Sequence, residues 1–193
     1  MKSVSLIIHS MRTFFMCFFM PIIISSCADE SITSTKPIEV IDYYQFDEHN
    51  LDLYGINASI MIPNETAGIG ASFETEVLHD DGDFKWQISA GRNFNLFIED
   101  YGDYQYRMPE FLRQLESQDI FKTEIILQKG DYVMFKRELN LTSKKTSSYH
   151  FYGVKYINGV YYEIKNKEEG DSKKVIDFML KSFLSFKSIN LEL

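Results

Sequence analysis

Several groups of side chains in this sequence have the types and spacing to do chemistry. Cys27 places a thiol directly after Ser25 and Ser26, where the apolar run that starts at Phe14 ends. His79, Asp80, Asp81 and Asp83 set four potential ligands around Gly82, and oxygen donors in a turn suit calcium. An EF-hand loop needs a longer alternation closed by a bidentate glutamate, so a solvated hairpin turn is the favoured reading. Glu74 with Glu76, and Asp100 with Asp103, are the close carboxylate pairs that glycoside hydrolysis would require. The chain carries 28 Asp and Glu residues, however, so chance neighbours are expected. Tyr101, Tyr104 and Tyr106, interleaved with Asp100 and Asp103, combine rigid aromatic area with polar tips, which suits protein contact or sugar stacking. Tyr152, Tyr156, Tyr161 and Tyr162 form a second aromatic group. The competing reading of both groups is half-buried tyrosine lining a sheet beneath a helix.

The sequence offers little to nucleophilic or metal catalysis. It has no Gly-x-Ser-x-Gly elbow, no His-Glu-x-x-His and no glycine-rich phosphate loop. Outside the apolar N-terminus the histidines are His49, His79 and His150, too dispersed for a zinc site with cysteine committed elsewhere. The expectation is a protein without catalytic residues, metal or cofactor. Asn57-Ala58-Ser59, Asn64-Glu65-Thr66 and Asn140-Leu141-Thr142 match the glycosylation triplet, a short pattern taken as coincidence.

The thiol acquires a role from what precedes it. Lys2 and Arg12 lead into the apolar run, which is followed by small residues, the three-part layout of a secretory signal. The run is shorter than the roughly 20 apolar residues that a spanning helix needs. Ile24-Ser25-Ser26-Cys27 resembles the lipobox of bacterial lipoproteins. That resemblance implies cleavage before Cys27 and a lipid on the new N-terminal cysteine, its thiol forming the diacylglyceryl thioether, with membrane lipid as the first partner. The alternatives are an ordinary signal cut near Ser26 or a short uncleaved anchor. Asp29 and Glu30 resemble the acidic export signal of Bacteroidota lipoproteins. They leave the cell surface and the periplasmic face of an outer membrane as equal expectations.

Cleavage there leaves 167 residues with Cys27 as their one cysteine, so no internal disulfide can form. A chain of about 150 residues buries some 68–70% of its unfolded surface, enough for one domain. The formal charge is -8 and becomes -10 once Lys2 and Arg12 leave, which disfavours nucleic acid and a basic membrane-binding patch. The expected organisation is a signal peptide over 1–26, a flexible polar tether over 27–37 and a single domain over 38–193.

Hydrophobic periodicity places these residues on elements. Ile38 to Asn50 is ambiguous between a strand and an irregular wrap. Ala58, Ile60 and Ile62 face one way on a strand that Pro63 ends. Phe73, Thr75 and Val77 mark a second, then Phe84, Trp86 and Ile88, then Phe94, Leu96 and Ile98. His79–Asp83 and Ala90–Asn93 supply the turns, giving an antiparallel meander. Pro109 opens a short helix with Phe111, Leu112 and Leu115 as its apolar stripe. Strands return over Ile120–Gln128 and Tyr132–Arg137, and Leu139–Ser148 reads as a long exposed turn. Asn158-Gly159 between two β-rich runs is a strong hairpin signal. A final helix starts at Asp171 or Ser172 with Val175, Ile176, Met179, Leu180, Phe183 and Leu184 on one face, and Lys181 and Lys187 toward its end.

Leu53-Tyr54-Gly55-Ile56 leading to Ile60-Met61-Ile62-Pro63 resembles the opening strand of PsbP-like domains. The aromatic hairpin, charged loop and closing helix with Met179-Leu180-Lys181-Ser182-Phe183 are also similar. The resemblance covers about Leu51 to Lys187 and implies an α/β/α sandwich, an α+β fold with a central antiparallel sheet covered by helices. It carries no catalytic residues. The functional expectation is a lipid-anchored, non-enzymatic envelope accessory or protein-binding subunit with its docking site on the Tyr101–Tyr106 loop. Capture of a small molecule or glycan is the rival, and hydrolysis a more distant one.

Overall fold

The computed structural model describes residues 41–70, 74–80, 82–117, 120–139 and 147–189. Seven strands form one antiparallel sheet in the order β3-β4-β5-β9-β8-β7-β6. A meander builds one half: β3 (Thr75–Leu78), β4 (Lys85–Ala90) and β5 (Phe94–Asp100). The other half comprises β6 (Phe121–Gln128), β7 (Tyr132–Leu139), β8 (Ser147–Ile157) and β9 (Val160–Lys165). The β8–β9 turn is Asn158-Gly159, both at positive φ (52° and 88°), which Asn and Gly tolerate at low cost. Alternation decides the faces. Trp86, Ile88 and Ala90 on β4, and Phe94, Leu96 and Ile98 on β5, are all buried in one core.

One helix lies on each face. α2 (Lys173–Ser185) starts where the Ser172 hydroxyl accepts from the Val175 amide at 3.4 Å, and it buries Val175, Ile176, Met179 and Phe183. It can approach β8 because Gly153 has no side chain: a Cβ there would lie 2.6 Å from the Phe183 ring. The same core includes a second, three-stranded sheet ordered β1-β2-β10, from β1 (Phe46–Asn50), β2 (Ala58–Pro63) and β10 (Lys187–Ser188). α1 (Arg107–Glu116) belongs to a smaller core, burying Met108 and Leu115 against Val133, Phe135, Tyr152 and Val154. The chain is thus an α+β fold whose central antiparallel sheet packs against two helices.

Several sequence expectations shift locally. The ambiguous segment before Asn50 ends in strand β1. α1 begins at Arg107, ahead of Pro109, because the Glu110 amide already donates to the Tyr106 carbonyl at 3.1 Å. Pro109 falls within the first turn, where a missing N–H costs nothing. Phe84 does not join the inward face of β4; it precedes the strand and is 64% exposed. The polar stretch 139–148 is partly strand, since Leu139 ends β7 and Ser147 and Ser148 open β8. Phe178 joins the buried face of α2, and Lys187 lies beyond the helix, on β10. Cys27, the signal 1–26, the tether 27–37, Phe73, Asp81 and the triplet at Asn140 lie outside the described residues.

Candidate functional site

The α1 face of the sheet carries the densest chemistry. Strand parity sends Val133, Phe135 and Arg137 of β7, His150, Tyr152 and Val154 of β8, and Tyr161, Glu163 and Lys165 of β9 to this side. α1 crosses above them, with the Phe111 ring stacked on Tyr152 at a centroid distance of 3.6 Å and an interplanar angle of 2°. Between the helix and the sheet lies a cleft of about 490 Å³, bordered by Arg107, Phe111, Gln114, Phe121, Phe135, Arg137, His150, Tyr152, Glu163 and Asn166.

Glu163 anchors one wall. It is 1% exposed. Its Oε2 accepts from Arg107 Nε at 3.0 Å and Nη2 at 2.5 Å and from the Tyr152 hydroxyl at 2.7 Å, while Oε1 accepts from Lys165 Nζ at 2.5 Å. Burial alone would raise this carboxyl's pKa, but the bonds from Lys165, Tyr152 and Arg107 hold it below the ordinary value. Burial and the neighbouring Glu163 charge push Tyr152 up. The network continues through Glu99, 3.3 Å from Lys85 and 3.7 Å from Lys165. Arg107, Tyr152 and Lys165 thus all donate to Glu163.

The opposite wall differs. Arg137 sits over Phe135 at 5.0 Å and Phe121 at 5.6 Å. Among the described residues no carboxylate pairs with it, and its Nε is buried without a hydrogen-bond partner. Burial lowers its pKa, with the charge of Glu168, which borders the same cleft, opposing. Beside it, His150 stacks on Phe135 at 5.0 Å and shares a 2.8 Å hydrogen bond between Nε2 and Ser148 Oγ. Burial, then the Arg137 charge, brings this imidazole down to about 4, so it is neutral at pH 7. Ser148 and His150 have the separation of a nucleophile and its base. No carboxylate orients the imidazole among the described residues, and its low basicity suits a buried acceptor or donor better than a general base.

The residues singled out in the sequence occupy other places. Tyr101 is half-buried as the platform beneath the Arg107 guanidinium, 4.1 Å from the ring centre, and burial, then Glu163, raises it to about 12. The Tyr104 hydroxyl donates to Glu110 of α1. Tyr106 caps α1 and is 55% exposed, edge-on to Tyr104 at 5.8 Å. Asp100 Oδ1 accepts from the Gly102 amide at 2.6 Å, and Asp103 is exposed. These five residues build the approach to α1 and do not line the cleft. Of the hairpin tyrosines, Tyr152 and Tyr162 are buried and Tyr156 is exposed. His79 stacks on Trp86 at 4.7 Å, and its Nδ1 meets the Lys85 carbonyl at 2.9 Å. Among the described residues no group of three potential metal ligands converges.

Arg107, Arg137, Glu163 and Lys165 were not signalled by motif. Parity could have found two of them: Arg137 continues the inward positions of Val133 and Phe135, and Glu163 alternates with core residues Tyr162 and Ile164. No protein-family model matches the chain, and no curated protein matches it.

Proposed function

We propose that this chain is a lipid-anchored, non-enzymatic binding protein of a Gram-negative envelope, and that its α1-face cleft takes a small organic anion carrying a flat ring. The observation that carries this reading is Arg137, a cation with a buried, unpartnered Nε at the end of an aromatic-lined cleft. A carboxylate there would gain charge-assisted bonds, and its ring would lie among Phe111, Phe121 and Phe135. The lipobox-like Ile24-Ser25-Ser26-Cys27 supports anchoring through Cys27 to the outer membrane, on either face. The order of strands, α1, strands and α2, with one helix on each face, supports a PsbP-like sandwich. Docking of an envelope protein partner is the second reading, favoured by the exposed edge-to-face pair Tyr104 and Tyr106.

Calorimetric titration of the full chain with benzoate tests the cleft. Saturable binding, weakened about tenfold by Arg137→Gln as expected for a lost bond to a charged group, is the predicted result. Absence of binding sinks the cleft assignment. Cys27→Ser should move the expressed protein from the membrane fraction to the soluble one; continued membrane retention would rule out the acyl anchor. Gentle co-purification decides the second reading, since a stoichiometric partner lost on alanine replacement of Tyr104 and Tyr106 would favour it.

A further inference from the structure

The large sheet ends at β6, and no described strand pairs with its outer side. A sheet edge is a template for any strand, and proteins defend it with charges and bulges. Here the bulge falls between Ile125 and Leu127, which leaves Phe121 to Ile125 as a regular edge segment. It is not shielded by burial: Lys122 and Glu124 are exposed, and Ile125 is 45% exposed.

That segment is complementary to itself when run antiparallel. An antiparallel edge-to-edge pair has its twofold axis perpendicular to the sheet, so facing residues must have the same parity. With the axis at Thr123, Phe121 faces Ile125 of the second copy and Lys122 faces Glu124, each twice. The charges also extend a pattern already present. Within one copy Lys122 lies opposite Glu138, and Glu124 opposite Lys136. Joining two copies gives the row Glu138, Lys122, Glu124, Lys136 across four strands, with signs alternating at every step. On the other face, Thr123 Oγ1 is buried without a hydrogen-bond partner, and the axis brings the matching hydroxyl beside it. A cleft of about 270 Å³ between α1 and β6, bordered by Leu112, Leu115, Phe121 and Ile125, would gain the second copy's apolar residues at its open side. The other edge, β3, has no such register, since an axis at Glu76 sets carboxylate against carboxylate.

We infer that two copies of this chain pair through the β6 edges, antiparallel about Thr123, forming one continuous sheet. Lys122 and Glu124 then act as a selectivity device: they oppose unrelated strands and accept only a strand with the reverse charge order. Five residue pairs make a modest interface, so the dimer is reversible.

Sedimentation equilibrium of the full-length chain in density-matched mild detergent tests this. The expected result is a dimer that Lys122→Glu and Glu124→Lys each weaken about tenfold, with the double exchange tighter than either single one but short of wild type, because it also sets like charges against Glu138 and Lys136. A monomer at all concentrations, or a double variant no tighter than either single one, would overturn the inference. Thr123→Cys, in a chain with Cys17 and Cys27 changed to Ser, should cross-link under mild oxidation because the two positions meet on the axis. A dimer without this cross-link would equally overturn it.

Discussion

Arg107, the first residue of α1, closes on Glu163 of β9 through two of its nitrogens, at 3.0 Å and 2.5 Å, joining positions 56 apart in the chain. The contact fixes where α1 sits over the sheet, and so the width of the cleft. Glu163→Gln keeps the shape but leaves Arg107 and Lys165 without their shared counter-charge. Breaking a fully buried pair costs about 3–5 kcal/mol. Arg107 and Lys165 retain some water, so urea denaturation should show a loss of about 2–3 kcal/mol. A change below about 0.5 kcal/mol, the range of ordinary surface substitutions, would contradict this role.

Gly153 and Phe183 form a packing constraint of a different kind. A Cβ on residue 153 would lie 2.6 Å, 2.9 Å and 2.9 Å from three atoms of the Phe183 ring, which is fully buried. Gly153→Ala should therefore destabilise by about 1–3 kcal/mol through overpacking. Phe183→Leu alone should cost about as much by leaving space. Combined, the two should cost less than their sum, and an additive double-mutant cycle would disprove the contact.

His150 makes stability depend on pH. Its pKa in the folded chain is about 4, below the ordinary value of about 6.5. As pH falls through that window the unfolded chain binds the proton first. Stability is therefore complete above the upper value and declines toward the lower one, by about 3 kcal/mol. The sign is set by depression of a cationic group through burial and Arg137. Unfolding free energies of wild type and His150→Gln should diverge in slope across this range, and parallel slopes would refute the assignment.

The loop tyrosines should separate by role. Tyr101 supports Arg107 face-on at 4.1 Å, so Tyr101→Ala should cost about 1–2 kcal/mol from the lost cation–π contact and half-buried area. Tyr106→Ala should change thermal stability by less than about 0.5 kcal/mol. Equal losses would show that exposure does not distinguish them.

The strand and helix pattern was legible because both periods are clean. Trp86, Ile88 and Ala90 alternate with polar residues, and Val175, Ile176, Met179 and Phe183 repeat on one side of a helix. The separation of α1 and α2 to opposite faces was implied only by the family resemblance, because in periodicity alone Phe111 and Leu115 look the same beneath either surface. Nor was β10, whose two residues become strand only by pairing with Ser59 and Ala58. The Tyr101–Tyr106 loop drew attention by composition, yet Tyr101 turned inward under Arg107, a partner that no local rule specifies. Arg137 and Glu163 come together with their neighbours only through the order β9-β8-β7, a long-range fact that no short motif encodes.

The three-stranded sheet has a bearing on biosynthesis. β2 is flanked by β1 on one side and β10 on the other, and the same region is tied by the Tyr43 hydroxyl to the Lys181 carbonyl, 138 positions away. Met61 likewise donates its amide to Ser185, 124 positions away. The β2–β10 pairing is not available to a nascent chain until Ser188 has left the ribosome, and the two hydrogen bonds not until Lys181 and Ser185 have. Pairings across such long loops are also slow to form. In a chain exported unfolded, as the lipobox resemblance implies, this delay leaves β2 open on one side until the segment that carries β10 arrives to close it.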